Sequence, residues 1–240
     1  EHWKIRSHAA CYKSTELAVG LAKKHGARLH VLHLTTAAEL AFFEAGPVEK
    51  KKITVEACVH HLFLNDSFYE TRGREIKCNP AVKNEADRVA LVKAVRDGVI
   101  DIIATDHAPH TLEEKAQGFW KAPSGLPLVQ YALPVLFLMV ARGELTLEQV
   151  VQKVCHAPAL RFGVQQRGYL REGYYADLTL VDLDAPFTVQ RPDVLSLCGW
   201  SPFEGMRFPA SIAATWVNGV MAWDGKKVLP QPQGQRLVFA

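Results

Sequence analysis

Polar residues with ligand or proton chemistry fall just after short apolar runs along the chain. His33 closes the run at 28–34, in Leu32-His33-Leu34-Thr35-Thr36, and His60 and His61 follow the run at 52–58. Asn79 follows 75–78, in Lys77-Cys78-Asn79-Pro80. Asp106, His107 and His110 follow 99–105, in Thr105-Asp106-His107-Ala108-Pro109-His110. Imidazole nitrogen and carboxylate oxygen together suit a borderline cation such as zinc. Taken singly, each residue has a plainer role. A strand-end histidine can be a satisfied structural one, and Asp106 can cap a helix or form a turn. His30 lies two residues before His33 and shares its side of the strand, so spacing does not choose between them. Position at the strand end favours His33. The same ambiguity separates His60 from His61. Cys58, on the strand before His60, reads as a small buried hydrophobe rather than a ligand. Four consecutive strand ends bearing His, His-His, Asn and Asp-His are harder to explain structurally than any one of them, and point to a metal site.

Such a site needs elements that carry those ends to one face. Residues 14–25 place Leu17, Ala18, Leu21 and Ala22 at helical spacing, with Gly26 as the stop. Thr36 and Glu39 form a capping-box pattern that predicts a helix to about Ala45. Asn84 predicts a helix through Arg96, residues 126–142 a long apolar helix, and Thr146 with Gln149 another through Val154. Strands are expected at 28–34, 52–58, 99–105 and, weakly, 75–78. Strand–helix alternation implies βα units and a parallel sheet, whose ligands gather at the strand C-termini. From about Gly168 the pattern changes to antiparallel β: 176–183, then 211–217 and 220–223 flanking the hairpin signal Asn218-Gly219. Trp216 and Trp223 are expected in the core. A boundary falls near residue 165. A closed eight-stranded barrel takes roughly 250 residues, so the expectation is a small open α/β sheet or the back half of a barrel.

The chain has 240 residues, a net charge of +3 and 48% hydrophobic residues, which excludes a disordered protein. Basic residues are scattered, and the Glu49-Lys50-Lys51-Lys52 cluster reads as a solvated loop, so no nucleic-acid partner is expected. No apolar run reaches the roughly 18–20 residues of a membrane span, and no signal peptide opens the chain. The five cysteines are widely spaced without a CxxC pair, as in reduced thiols of a cytoplasmic protein. The chain begins with Glu1 rather than Met, as a piece of a longer protein would.

The stretch Asp101-Ile102-Ile103-Ala104-Thr105-Asp106-His107-Ala108-Pro109-His110 resembles the signature of the dihydroorotases, cyclic amidohydrolases of the amidohydrolase superfamily. So do Val31-Leu32-His33-Leu34-Thr35-Thr36, Val55-Glu56-Ala57-Cys58-Val59-His60-His61-Leu62 and Cys78-Asn79-Pro80-Ala81-Val82-Lys83. Gly173-Tyr174-Tyr175-Ala176-Asp177-Leu178 and Trp200-Ser201-Pro202-Phe203-Glu204-Gly205 are similar to segments returning to that family's small β domain, and Lys121-Ala122-Pro123-Ser124-Gly125 to its substrate loop. The resemblance implies the C-terminal half or more of a TIM (β/α)8 barrel, about strands five to eight, over 1–165, and part of a small antiparallel β domain over 166–240. It implies His33 and His60 as metal ligands, picking the first histidine of the His60-His61 pair. Asp106 would be both ligand and general base/acid. Asn79 and His110 would bind the dihydroorotate ring and its carboxylate, helped by the backbone around Pro123 and Ser124. One or two zinc ions are implied, with a small-molecule substrate and reversible closure of N-carbamoyl-L-aspartate to L-dihydroorotate in pyrimidine synthesis. No membrane partner is implied, and a homo-oligomer is left open.

The chain departs from the family pattern in lacking the first-strand His-x-His pair with its adjacent Arg, and the middle-strand carboxylated Lys or Asp. Residues 1–6 look like the loop after that middle strand, so the 240-residue piece alone is expected to lack a complete active site. Val59 stands where Pro is usual. Cys155-His156-Ala157-Pro158 stands where Asn-Pro-Ala is usual, which puts a helix start in doubt. Rival readings are an allantoinase or hydantoinase, with the same metal residues, and a non-catalytic dihydroorotase-like structural partner.

Overall fold

Ser7 accepts from the Ala10 amide and starts helix α1, His8–His25, which Gly26 ends in the left-handed conformation. The helix is followed by β1, Leu29–Val31. These belong to a computed structural model that describes residues 2–230 and 234–240; Glu1, the first residue of the opening segment, lies outside the described residues. β2, Ile53–Cys58, is buried over nearly its whole length and runs directly into the short helix α2, Val59–Phe63. Asn84 accepts from the Asp87 amide and opens α3, Glu85–Arg96, ahead of β3, Ile102–Ala104. The strands pair in parallel in the order β1-β2-β3, with Leu29 opposite Ile53 and Glu56 opposite Ile102. All three strands therefore present their C-terminal ends to one face.

The segment at 75–78 is not a strand, and β2 pairs straight with β3. Gly73–Ile76 forms a 3-10 turn instead. The carbonyls a ladder would use are taken elsewhere: Lys77 O accepts from Lys115 Nζ and the Gly125 amide, and Cys78 O from His2 Nε2. The expected helix after Thr36 is only a 3-10 turn, Ala38–Phe42, although Glu39 accepts from the Thr36 amide and hydroxyl and is also bound by the Thr15 hydroxyl. The expected helix at 126–142 is also shorter. Leu126 lies parallel to His107, Pro127 disfavours helix at the residue before it, and α4 spans Ala132–Ala141. Pro134 sits in its first turn, where no amide hydrogen is needed. Helix α5, Leu147–Val151, has the full capping box of Thr146 and Gln149. It continues through a π turn, Gln152–His156, into α6, Ala157–Phe162, so the variant Cys155-His156-Ala157-Pro158 stretch leaves the helical run unbroken.

The tail contains β4, Leu178–Asp182, β5, Phe187–Thr188, β6, Arg207–Phe208, β7, Ser211–Val217, and β8, Val220–Trp223. β4, β7 and β8 form an antiparallel sheet, and β5 pairs with β6. Asn218 and Gly219 both take positive φ, as the tight hairpin requires. Trp216 and Trp223 are half-buried in this small sheet rather than in the core, with Trp223 Nε1 donating to Ile212 O. The segment between the two tail strands folds back: Val189, Phe203 and Phe208 join Leu62, Leu128 and Val135 in the main apolar core.

Candidate metal centre

The run from β2 into α2 puts Cys58, His60 and His61 on adjacent turns of buried backbone. His60 has no exposed surface, and neither of its ring nitrogens has a hydrogen-bond partner. Buried polar groups nearly always find partners, so two empty nitrogens on one ring need an explanation. Desolvation, with a smaller contribution from His33, pushes its pKa down to about 3. The ring is therefore neutral at pH 7, the form a metal requires. His61 differs, since its Nε2 donates to Pro80 O at 3.0 Å and only Nδ1 is unpaired.

His33 and Asp106 share an unusual backbone. Each lies two residues past the end of its strand at positive φ, 41° and 50°. A non-glycine residue there costs on the order of 1–3 kcal/mol, and such strain gathers at functional sites. His33 lies close enough to influence both partners: it helps lower His60 and favours the ionised form of Asp106. Asp106 is exposed at the sheet's open face, yet desolvation raises its carboxyl above the ordinary range; His33 opposes that rise and Glu56 adds to it. His30 engages Thr54 Oγ1 at 2.9 Å and Glu56 Oε2 at 3.0 Å, which occupies both ring nitrogens. Glu56 also accepts from the His33 amide at 3.4 Å. One buried carboxylate thus fixes His30 and braces the turn that aims His33.

Asn79 shares a cleft of about 310 Å³ with His33, lined also by Arg6, Cys11, Thr15 and Glu39. His2 Nε2 lies 3.1 Å from Asn79 Oδ1 and holds its side chain. Across the site, a buried ammonium organises the loop that carries Pro123 and Ser124. Lys115 Nζ donates to Lys77 O at 2.9 Å, Pro123 O at 3.2 Å and Gly125 O at 3.0 Å. Gly125 must remain glycine: a Cβ there would meet Ala108 O at 2.6 Å and the His110 ring at 3.1 Å. Trp200 Nε1 donates to His110 O at 2.7 Å. His107 faces away from this chemistry, its Nδ1 accepting from the Leu128 and Val129 amides.

His33 therefore acts on both His60 and Asp106, Asn79 shares a cleft with His33, Pro123 is held by Lys115, and the His110 ring lies beside Gly125. Glu56 and Lys115 escaped the sequence reading. A charge inside the buried run Ile53–Cys58 was the signal for Glu56. Lys115 looks like any charged helix residue in Glu113-Glu114-Lys115, and nothing in its spacing foretells burial. Lys115→Met should leave three carbonyls short of a donor, at about 1–3 kcal/mol for each left unsatisfied. Expected are a clear loss of thermal stability and faster amide exchange at 118–126, measured by scanning calorimetry and hydrogen exchange; unchanged exchange would deny the lysine its structural role.

A parallel α/β scaffold with imidazoles and a carboxylate at its strand ends defines the class. The chain belongs to the amidohydrolase family, whose profile matches residues 4–222. It is 40% identical over 217 residues to the dihydroorotase of Halobacterium salinarum, covering 90% of this chain and 50% of that protein. Its fold matches the L-hydantoinase (dihydropyrimidinase) of Arthrobacter aurescens with a TM-score of 0.85 and 30% identity, over 91% of this chain and 49% of that one. It shares its fold with the inactive dihydroorotase-like domain of a Chaetomium thermophilum CAD-like multifunctional protein, at TM-score 0.65 and 23% identity, covering 90% and 57%. The chain spans about half the length of the curated relatives it matches. Family chemistry is metal-dependent, and the empty nitrogens of buried His60 fit a cation; the donors whose ligand atoms lie within 4.8 Å of one another are Cys58, His60 and His61, a group that does not include His33 or Asp106. No helix among the described residues is long and apolar enough to cross a membrane.

Proposed function

We propose that this chain is the C-terminal part of a dihydroorotase, interconverting N-carbamoyl-L-aspartate and L-dihydroorotate in cytoplasmic pyrimidine synthesis. The observation that carries the proposal is the fully buried His60, with both nitrogens free, set in the field of His33 beside Asp106. In this reading, residues 1–165 supply barrel strands five to eight and 166–240 part of a small β domain, with the Phe187–Phe208 stretch returned to the barrel core.

His33, His60 and Asp106 would hold zinc, as one ion or two with ligands from the rest of the protein. When bound, the cation supplies Lewis acidity toward the scissile carbonyl and a nucleophilic water at neutral pH. Asp106 takes the proton from the attacking water and passes it to the departing ring nitrogen, a transfer its position at the open strand end permits. Asn79, His110 and the backbone at Pro123 and Ser124 hold the ring and its carboxylate in register.

The likeness to L-hydantoinase supports a second reading with the same metal residues and a different ring. Assaying the full-length protein with dihydroorotate, hydantoin and allantoin separates the two. Dihydroorotate should be turned over with the highest kcat/KM; preference for either other ring would overturn the assignment. The non-catalytic alternative is disfavoured by the presence of His33, His60 and Asp106 together, and turnover of none of the three rings would restore it.

A further inference from the structure

The proposed hydrolase centre leaves the buried donors Cys58 and His61 unused. Cys58, His60 and His61 each present a ligand atom, and these atoms lie within 4.8 Å of one another. All three residues are buried, at 0%, 0% and 3% exposure. The His61 Nε2–H is spent on the Pro80 carbonyl, so Nδ1 carries the free lone pair, and it has no partner. Cys58 occupies the N-cap position of α2, but its thiol makes no cap hydrogen bond. The two imidazoles lie with ring centroids 3.9 Å apart, tilted by 46°. The Cys78 thiol differs. It points at the Pro80 carbonyl, 3.2 Å away, and lies 3.9 Å from His61 Nε2, the nitrogen already in use.

A tetrahedral cation with metal–sulfur bonds of about 2.3 Å and metal–nitrogen bonds of about 2.0 Å holds its donors roughly 3.3–3.8 Å apart. The observed spread needs to close by about 1 Å, within reach of small side-chain rotations. Thiolate selects soft cations, whereas carboxylate and water suit hard ones. We infer that Cys58, His60 and His61 form a thiolate–imidazole site for one thiophilic divalent cation. The inference shares His60 with the proposed hydrolase centre and rests on that reading only through this residue. On binding, the Cys58 S–H bond breaks, the proton leaves to solvent, and a sulfur–metal bond forms with no change of oxidation state. A soft cation held there engages His60, a residue the proposed hydrolase centre also uses, so it would act as a poison of that centre.

Cadmium is the probe, because its thiolate complexes absorb in the ultraviolet. The 240-residue chain, with Cys11, Cys155 and Cys198 replaced by Ser, keeps two thiols, Cys58 and Cys78, both buried. Titration should give one cadmium per chain by elemental analysis after desalting, together with a thiolate charge-transfer band. Cys58→Ser should abolish the band and weaken retention at least tenfold, and Cys58→Ala, confirmed folded by circular dichroism, should do the same. Cys78→Ser should keep both. A band that survives in both Cys58 variants, or disappears in Cys78→Ser, would overturn the site. His33→Ala should retain the band; its loss there would also overturn the inference. Failure of the substrate panel with the cadmium band intact would discard the dihydroorotase reading alone.

Discussion

Asp106→Asn in the full-length protein should lower dihydroorotate turnover by about 10²–10⁴-fold, the usual contribution of a positioned acid–base group. The fold should survive. Asp106 is exposed, the replacement is nearly isosteric, and its positive φ of 50° is one asparagine readily adopts. Stability should therefore change little, so that lost turnover cannot be blamed on unfolding. Asn79 and His110 lie on other segments and are untouched, so KM should move much less than kcat. Steady-state kinetics, thermal melting and metal analysis on one preparation check this. Near-normal turnover would remove Asp106 from the proton transfer. Loss of turnover together with bound metal would mark it chiefly as a ligand.

What the sequence conveyed about this region follows from which forces act locally. The α1 cap at Ser7 and stop at Gly26, the Asn84 cap of α3 and the Asn218-Gly219 hairpin are settled within a few residues, and sequence spacing shows them. The strand-end positions of His33 and Asp106 were equally visible. Where long-range partners decide, the reading failed. Residues 75–78 have strand composition, but their carbonyls are claimed by Lys115 and His2, which lie distant in sequence. Glu39 accepts from the Thr36 amide as a helix cap would, but its other oxygen is claimed by Thr15 of another helix, and only a 3-10 turn follows. The choice between His30 and His33 was open on spacing; the structure shows His30 committed to Thr54 and Glu56, a fact about side chains on β2 that no period of two could reveal. The same holds for His60 and His61, distinguished by a carbonyl at Pro80 that accepts from only one of them.

His60→Ala should remove bound metal with little cost to the metal-free fold. Deleting a buried side chain ordinarily leaves a cavity that destabilises by a few kcal/mol. Here the deleted ring has two unpaired polar nitrogens, whose burial without partners is itself costly, so the two effects offset one another. The metal-free variant should melt close to the parent. With cation present, the parent gains about 2.7 kcal/mol at a hundredfold excess over Kd, or roughly 5–10 °C for a chain this size. The variant should gain almost none of this, and its metal content by elemental analysis should fall; His33→Ala should behave similarly. Acid provides an independent check. His60 has a pKa of about 3 in the folded chain against 6.5 when free, so between those values the unfolded state binds a proton that the folded state does not. Metal-free parent protein should lose stability progressively as pH falls from 6.5 toward 3, and His60→Ala should lack that part of the acid limb. Metal content and acid sensitivity both unchanged in the variant would show that the buried ring neither holds the cation nor sits in the desolvated pocket on which the proposed centre depends.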